Sequence, residues 1–232
     1  MIFNPLRSGK SVYEKEIPAF QSDTKGKKYL YLIAGTHGDE VEGVYVLQKL
    51  FEWLKEDEND VDPLPIIVLP ILNIDGHEAG SRVNAHAVDL NRNYPTENWT
   101  EEYSEDKYNP GPEPLSEPEN KFLVKLLEKF PPYLIISFHS WKPILNYNGN
   151  SLKEAEYISR HNHYPVQDDI GYPTPGSFGS YVPEKFNAGV ITYECPLLAD
   201  GKSLNEIWEE NEEGLKNFMK SHLLDELKAL IK

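Results

Sequence analysis

The sequence predicts an α/β fold in which a central mixed parallel and antiparallel sheet is covered by helices on both faces. The chain has 232 residues and no Gly/Ser-rich linker or change of composition, so we expect residues 1–232 to form a single domain. Segments with helical spacing separate short apolar runs of buried-strand type. These runs cover residues 28–34, 66–72, 133–138 and 189–193.

The first predicted strand leads directly into a predicted helix. The run Lys28 to Ala34 is closed by Gly35, and apolar residues then recur at helical spacing from Val41 to Leu54. His37 and Glu40 lie in the turn between the two elements. Ligands of open α/β sheets bind beyond the carboxyl ends of the strands, so this turn is at the expected place for a site.

Three later helices are predicted from Ser-x-x-Glu capping boxes. Gly214 leaves open whether the last of them is one helix or two, and the aperiodic residues 94–114 predict a long surface loop near the site. The capping pairs and their helices are Ser116 with Glu119 (117–130), Ser151 with Glu154 (152–162) and Ser203 with Glu206 (204–231).

The charge of the chain argues against several classes of partner. With 38 acidic and 23 basic residues the net charge is -15, and there is no basic run, so we expect neither nucleic acid nor an anionic membrane as a partner. No leader peptide or membrane span is evident, and Cys195 is the single cysteine, which excludes an internal disulfide. We therefore expect a cytoplasmic protein, and the oligomeric state stays open.

His37, Glu40 and His139 form the set of side chains that a catalytic zinc uses. His37 and Glu40 share one turn, and His139 ends the apolar run at 133–138, so the three could converge. Each has an ordinary alternative: a His-x-x-Glu pair often serves a capping or surface role, and a histidine at a strand end is often simply hydrogen-bonded. The motifs that accompany them decide between these readings.

Further motifs in the chain complete a family pattern. Arg82 precedes the segment DLNRNYP at 89–95, and YECP at 193–196 ends the last apolar run. Together with the metal set, these residues resemble the zinc carboxypeptidases of the funnelin type. Within that family the likeness, from about Leu32 to Pro196, is greatest to cytoplasmic amidases that act on murein peptides, and it includes AGTHGDE, VDLNRNYP, ENW, SEPE, SFH and GYPTPGSFGSY.

The resemblance implies roles for the reacting centre. The family's ligands for one Zn²⁺ per chain fall on His37, Glu40 and His139, and its general base falls on Glu194. Arg82 matches the arginine that polarises the scissile carbonyl and stabilises the oxyanion, a task suited to fixed positive charge.

The resemblance also implies how substrate is bound. Asn91 and Arg92 match the pair that grips a terminal carboxylate, for which the planar fork of arginine is well shaped. Asp89 matches the acid that orients a zinc-bound histidine through its other ring nitrogen.

Aromatic residues are implied at the edges of the same cleft. Tyr172 matches a mobile tyrosine that covers substrate, with Tyr181 as a rival for that role. Phe178 falls at a position that lines the specificity pocket, and Trp141 could line the cleft.

The implied activity is zinc-dependent hydrolysis of the γ-D-glutamyl to meso-diaminopimelate bond of murein tripeptide, during peptidoglycan recycling. Three alternatives stay open. The chain could be a carboxypeptidase for ordinary C-terminal L-residues, or a deacylase of the aspartoacylase type, which shares a Gly-x-His-Gly-[Asn/Asp]-Glu turn. From a different class, it could be a murein-peptide binder without catalysis.

Overall fold

An eight-stranded sheet runs through the protein in the computed structural model, which describes residues 1–56 and 58–232. Its strands are β1 (Phe3–Pro5), β4 (Phe20–Ser22), β5 (Tyr29–Ala34), β6 (Ile66–Leu69), β7 (Pro132–Trp141), β8 (Ile144–Asn148), β9 (Val166–Gln167) and β10 (Gly189–Pro196). The spatial order is β1-β4-β6-β5-β7-β10-β8-β9, and a separate hairpin joins β2 (Gly9–Lys10) to β3 (Glu16–Ile17).

The sheet is mixed, as predicted. Strands β6, β5, β7 and β10 run parallel to one another, whereas β4 pairs antiparallel with β6 and β8 pairs antiparallel with β10. The carboxyl ends of β5, β7 and β10 therefore lie side by side at one edge. Ala34 is the register partner of Phe138, and His139 is the partner of Glu194.

Helices cover both faces of this sheet, which confirms the predicted layers. Side chains of β5 alternate between two buried apolar clusters: Leu30 and Leu32 belong to one, Tyr31 and Ile33 to the other. The helices are α1 (Val41–Leu54), α2 (Ile74–Ala79), α3 (Pro118–Lys129), α4 (Leu152–Asn162), α5 (Phe178–Phe186), α6 (Leu204–Lys220) and α7 (Asp225–Lys228). In residues 1–56 and 58–232, none of them combines the length and apolar character needed to cross a membrane.

Helix capping differs from the prediction at two of three sites. The Ser203 and Glu206 box that begins α6 forms as predicted. Ser151 precedes α4 but its hydroxyl donates to the carbonyls of Asn148 and Val190, and Ser116 donates to Glu117. The hydroxyls of these two serines are therefore bonded to a carboxylate or to carbonyl groups and do not cap the helix N–H groups.

The last predicted helix is divided, but not at Gly214. Helix α6 passes through Gly214 and ends at Lys220, and the short α7 follows a single 3-10 turn. Gly214 lies in contact with Ile158 and His161 of α4, where a larger side chain would have little room. The glycine therefore allows two helices to approach and does not break the one that contains it.

Candidate active site

His37, Glu40 and His139 converge into one compact cluster. The Nδ1 atoms of His37 and His139 lie 2.6 and 2.8 Å from the two carboxylate oxygens of Glu40, and 3.2 Å from each other. Tetrahedral zinc with Zn–N bonds of about 2.0–2.1 Å holds two nitrogen ligands roughly 3.3 Å apart. The donor types and their spacing fit a metal ion, and the cluster could hold one.

Two glycines let the elements that carry this cluster approach closely. A Cβ atom on Gly38 would lie 2.1 Å from the backbone carbon of Gly76, so only glycine allows the turn to rest against α2. A Cβ atom on Gly43 would lie 2.9 Å from both the backbone nitrogen and oxygen of His139. The close contact of α1 with β7 at Gly43 brings Glu40, just before the helix, to His139.

This contact leads to a prediction for Gly43→Ala. The added methyl has no space, so α1 must move from β7, and we expect a loss of about 1–3 kcal/mol in the free energy of unfolding together with weaker zinc binding. Thermal unfolding and a competitive zinc titration measure the two effects. Gly214→Ala is the matched control, and zinc affinity lowered equally by both changes would contradict the proposed role of the contact.

Asp89 fixes both a histidine and an arginine of the site. One carboxylate oxygen lies 3.1 Å from Nε2 of His37, and the other accepts a hydrogen bond of 3.0 Å from Nη2 of Arg82. Asp89 is fully buried; its burial opposes ionisation, but His37 and the arginines outweigh this and lower the pKa of its carboxyl. A charged acid that holds the far nitrogen of His37 sets the tautomer that directs Nδ1 toward the cluster.

Arg82 is held between two carboxylates. Besides Asp89, it donates from Nη1 to Glu40 at 3.3 Å. Burial of Glu40 favours its neutral form, yet the imidazoles of His37 and His139 prevail and lower the pKa of its carboxyl. The guanidinium is thus positioned beside the cluster of His37, Glu40 and His139, where it can face an oxygen that becomes negative.

Glu194 is a buried carboxyl group next to this cluster. It is the register partner of His139, its exposed fraction is 6%, and its Oε2 has no hydrogen-bond partner among the described residues. Burial raises its pKa to about 8; Glu40 acts in the same direction, and His139 and Arg82 oppose it. A carboxylate that is poorly solvated and poorly paired is well suited to accept a proton.

The raised pKa predicts a pH-dependent stability of the metal-free protein. The folded state holds the Glu194 proton up to a pKa of about 8, whereas the unfolded chain releases it near 4.5, so stability falls as the pH rises between these values. Between pH 5 and 8.5 we expect the free energy of unfolding of the unchanged protein to fall by on the order of a few kcal/mol. Glu194→Gln should remove this fall. Chemical unfolding at both pH values tests this, and an unchanged pH slope in the variant would contradict it.

Arg92 is a buried cation with no ion pair within the described part of the chain. Its exposed fraction is 4%, its Nη1 donates to the carbonyl of Asn91 at 2.8 Å, and the ring of Tyr108 lies 5.5 Å away. The Oδ1 of Asn91 accepts from the backbone of Phe178 at 2.9 Å, which leaves its amide N–H groups for a ligand. A buried guanidinium without a partner favours binding of an anion.

These groups share one cavity of about 500 Å³. His37, Glu40 and Glu194 line one part of it, and His139 and Asp89 lie behind that wall. The other predicted residues that line it are Arg82, Asn91, Arg92, Trp141 and Tyr172. The sheet edge therefore brings the predicted ligands, carboxylate and arginines together.

The aromatic residues divide between the cavity and the core. Tyr172 and Trp141 are partly exposed, and their rings meet edge to face at 5.7 Å at the rim. Tyr181 is buried and stacks on Tyr94, which excludes it from the exposed position that a covering residue needs. Phe178 is also buried against Tyr94 and does not line the cavity, so the structure does not place it where the resemblance implies.

Several lining residues were not predicted. Lys107 and Tyr108 come from the long loop, Asn146 and Asn148 from β8, and Asp168 from the turn after β9. Asn146 and Asn148 alternate with Leu145 and Tyr147, a period-two signal that could have placed the two asparagines on one face of a strand. Nothing comparable marks the loop residues.

Comparison with known proteins agrees with this geometry. The family model described as zinc carboxypeptidase matches residues 4–222. The chain is similar to murein peptide amidase A of Vibrio campbellii, at 31% identity over 85% of this chain and 82% of that protein, and of Escherichia coli K12, at 30% over 84% and 82%. The crystal structure of murein-tripeptide amidase from Escherichia coli O157 superposes with a TM-score of 0.77 at 29% identity, covering 94% of this chain and 92% of that one.

Proposed function

We propose that this chain, which belongs to the zinc carboxypeptidase family, hydrolyses the γ-D-glutamyl to meso-diaminopimelate bond of murein tripeptide. The observation that carries the proposal is the buried, unpartnered Glu194 carboxylate in the same cavity as the His37 and Glu40 cluster and the unpaired Arg92. The names of the similar amidases support the choice of substrate. We further propose that the reaction serves peptidoglycan recycling in the cytoplasm.

His37, Glu40 and His139 would hold one zinc ion through two ring nitrogens and a carboxylate. When bound, zinc supplies Lewis acidity, which acidifies a water molecule and polarises an amide carbonyl. Asp89 keeps His37 in the required tautomer through its 3.1 Å contact with Nε2. Ser137 lies at the same distance, 3.1 Å, from Nε2 of His139.

Glu194 acts as the general base and then as the general acid. Its carboxylate removes a proton from the attacking water, holds it, and delivers it to the nitrogen of the leaving diaminopimelate. Arg82, fixed by Asp89 and Glu40, donates to the oxygen that becomes negative as the carbonyl carbon turns tetrahedral. The carbon–nitrogen bond then breaks, giving a γ-carboxylate and a free amine.

Arg92 and Asn91 orient the substrate. The guanidinium of Arg92 and the free amide N–H groups of Asn91 bind the carboxylate next to the scissile bond, so the amide is held in one position over the cluster. Tyr172 and Trp141 stand at the rim and shield the bound peptide from water.

The test is hydrolysis of L-Ala-γ-D-Glu-meso-diaminopimelate by the zinc-loaded protein, followed by mass spectrometry. An α-linked L-peptide and a chelator-treated sample serve as controls. Free diaminopimelate that disappears with chelator supports the proposal. Cleavage of the α-linked peptide alone would make the protein an ordinary carboxypeptidase, and no cleavage of either would favour a deacylase or a binding protein.

A further inference from the structure

The ring of Tyr108 lies among three cations of the cavity. The guanidinium carbon of Arg92 lies over the ring at 5.5 Å from its centre, that of Arg82 at 5.6 Å, and the ammonium nitrogen of Lys107 at 4.9 Å. These distances are within the range of about 6 Å in which the face of an aromatic ring attracts a cation. Tyr108 and the three cations line the same cavity.

The three cations differ in how far their charge is compensated by other residues. Lys107 is exposed and forms an ion pair of 3.1 Å with a neighbouring glutamate. Arg82 is held by the carboxylates of Asp89 and Glu40. Arg92 is buried and has no ion pair with any residue that the structure describes. The ring therefore matters most to Arg92, because a buried cation without a partner is costly.

An aromatic ring can stabilise Arg92 in a way that a carboxylate cannot. The π electrons attract the guanidinium, but the ring as a whole carries no charge, so the positive charge remains available to an anion. A protein carboxylate in the same place would occupy the N–H donors that a substrate carboxylate needs. The hydrogen bond from Nη1 to the carbonyl of Asn91, at 2.8 Å, helps to fix the guanidinium and does not neutralise it.

The segment that carries the ring is tied to the chain on both sides of Arg92. The carbonyl of Asn109 accepts a hydrogen bond of 2.8 Å from the backbone N–H of Asp89. The carbonyl of Pro110 accepts one of 2.7 Å from the side chain of Asn93. Because Asp89 and Asn93 bracket Arg92 along the chain, these two bonds keep the ring and the guanidinium together.

We propose that Tyr108 is a positioning residue, which stabilises the unpaired charge of Arg92 through the face of its ring and keeps the guanidinium free to bind the substrate carboxylate. Arg82 is already fixed by two carboxylates, so it depends less on the same ring. The assignment rests on the proposed hydrolytic function and adds to it how the cation is prepared before substrate binds. Loss of the ring should therefore raise KM more than it lowers kcat.

The first test needs no substrate. A double-mutant cycle compares the unfolding equilibrium constants of the unchanged protein, Tyr108→Leu, Arg92→Met and the double variant, all at one concentration of free zinc. If the ring attracts the guanidinium, Tyr108→Leu should raise the unfolding constant by about 3- to 30-fold more when Arg92 is present than in Arg92→Met. An equal increase in both backgrounds would overturn the proposal.

Fluorination of the ring separates attraction by the π electrons from simple packing. Phenylalanines with one, two or three ring fluorine atoms have nearly the same shape, but each fluorine withdraws electron density from the face. Tyr108→Phe should keep kcat/KM for the murein tripeptide within about threefold, and each added fluorine should lower it further. Equal values across the fluorinated series would overturn the proposal. So would a loss in Tyr108→Phe as large as that in Tyr108→Leu, which would assign the effect to the hydroxyl group.

The loss in Tyr108→Leu should depend on the carboxylate of the substrate. We expect kcat/KM for the tripeptide to fall by about 5- to 30-fold, and that for its C-terminal carboxamide by less than about threefold, because Arg92 then has no anion to bind. Tyr103→Leu is the matched control and should affect neither substrate, because Tyr103 is an exposed tyrosine of the same loop that does not line this cavity. An equal loss on both substrates in Tyr108→Leu would indicate a structural role only and contradict the proposal.

The two kinds of measurement distinguish failure of the inference from failure of the proposed function. If Tyr108 and Arg92 are coupled in unfolding but the tripeptide is not cleaved, the function is wrong and the inference stands. If the tripeptide is cleaved and no coupling is found, the function stands and the inference is wrong. Without cleavage, the fluorinated series is compared by its unfolding constants, and equal constants overturn the inference.

Discussion

Glu194→Gln is expected to lower kcat by about 10³- to 10⁴-fold while the zinc content stays unchanged. The glutamine amide has nearly the shape of the carboxyl group but cannot accept the proton of the attacking water. Glu194 contributes no atom to the His37, Glu40 and His139 cluster, so the metal site should remain intact. Steady-state kinetics on the murein tripeptide, with metal analysis of the same sample, measures both quantities.

Two outcomes would contradict a role for Glu194 as the base. A loss of zinc from the variant would assign the effect to the metal site, and a rate within tenfold of the unchanged enzyme would mean that another group takes the proton. His77→Asn is a suitable control, because Nδ1 of His77 lies 3.1 Å from the carbonyl oxygen of Gly38, behind the turn that carries His37 and Glu40, and His77 does not line the cavity. Its kcat should change little.

Arg92→Met is expected to lower kcat/KM for peptides with a free C-terminal carboxylate by about 10²- to 10³-fold. Methionine keeps much of the length of the buried arginine side chain but lacks the positive charge that would bind the carboxylate. The exposed fraction of Arg92 is 4%, and the described residues provide no ion pair for it. A substrate carboxylate therefore does not have to displace a protein carboxylate from the guanidinium. Most of the loss should appear in KM if the contact is equally strong in the bound substrate and the transition state.

A substrate whose C-terminus is a carboxamide provides the control. The unchanged protein should prefer the free carboxylate over the carboxamide by about 100-fold or more, and Arg92→Met should remove that preference. Arg92→Lys should recover only part of it, because a point charge cannot make the paired contacts of a guanidinium. An equal loss on both substrates would show that Arg92 supports the fold and not the carboxylate.

The sequence predicted correctly those strands, helices and turns that a local pattern of apolar residues marks. The apolar run before Gly35 and the helical spacing after Glu40 placed both ends of the turn that carries His37 and Glu40, and the strand that ends near His139 was found in the same way. The cluster then follows from topology, because β5 and β7 are parallel neighbours and their carboxyl ends must meet.

The prediction was less accurate where nonlocal contacts decide. Phe178 was assigned to the lining of the cavity, yet Ser177 caps a helix there and Phe178 packs on Tyr94. Gly179 is needed for the space above β8 and not for flexibility. The contact between Gly179 of α5 and Asn148 of β8 was missed, because no local pattern reveals that these two elements are adjacent.

The wide separation of the proposed metal ligands along the chain has a consequence for how the protein would acquire zinc. Glu40 and His139 are 99 positions apart, and they come within reach only when β7 has docked beside β5. In an unfolded or partly synthesised chain only His37 and Glu40 of this set are near each other, and two ligands hold zinc less firmly than three. With this ligand set, we expect metal uptake to be a late event in folding, and each bound zinc ion to shift the equilibrium toward chains whose central strands are already assembled.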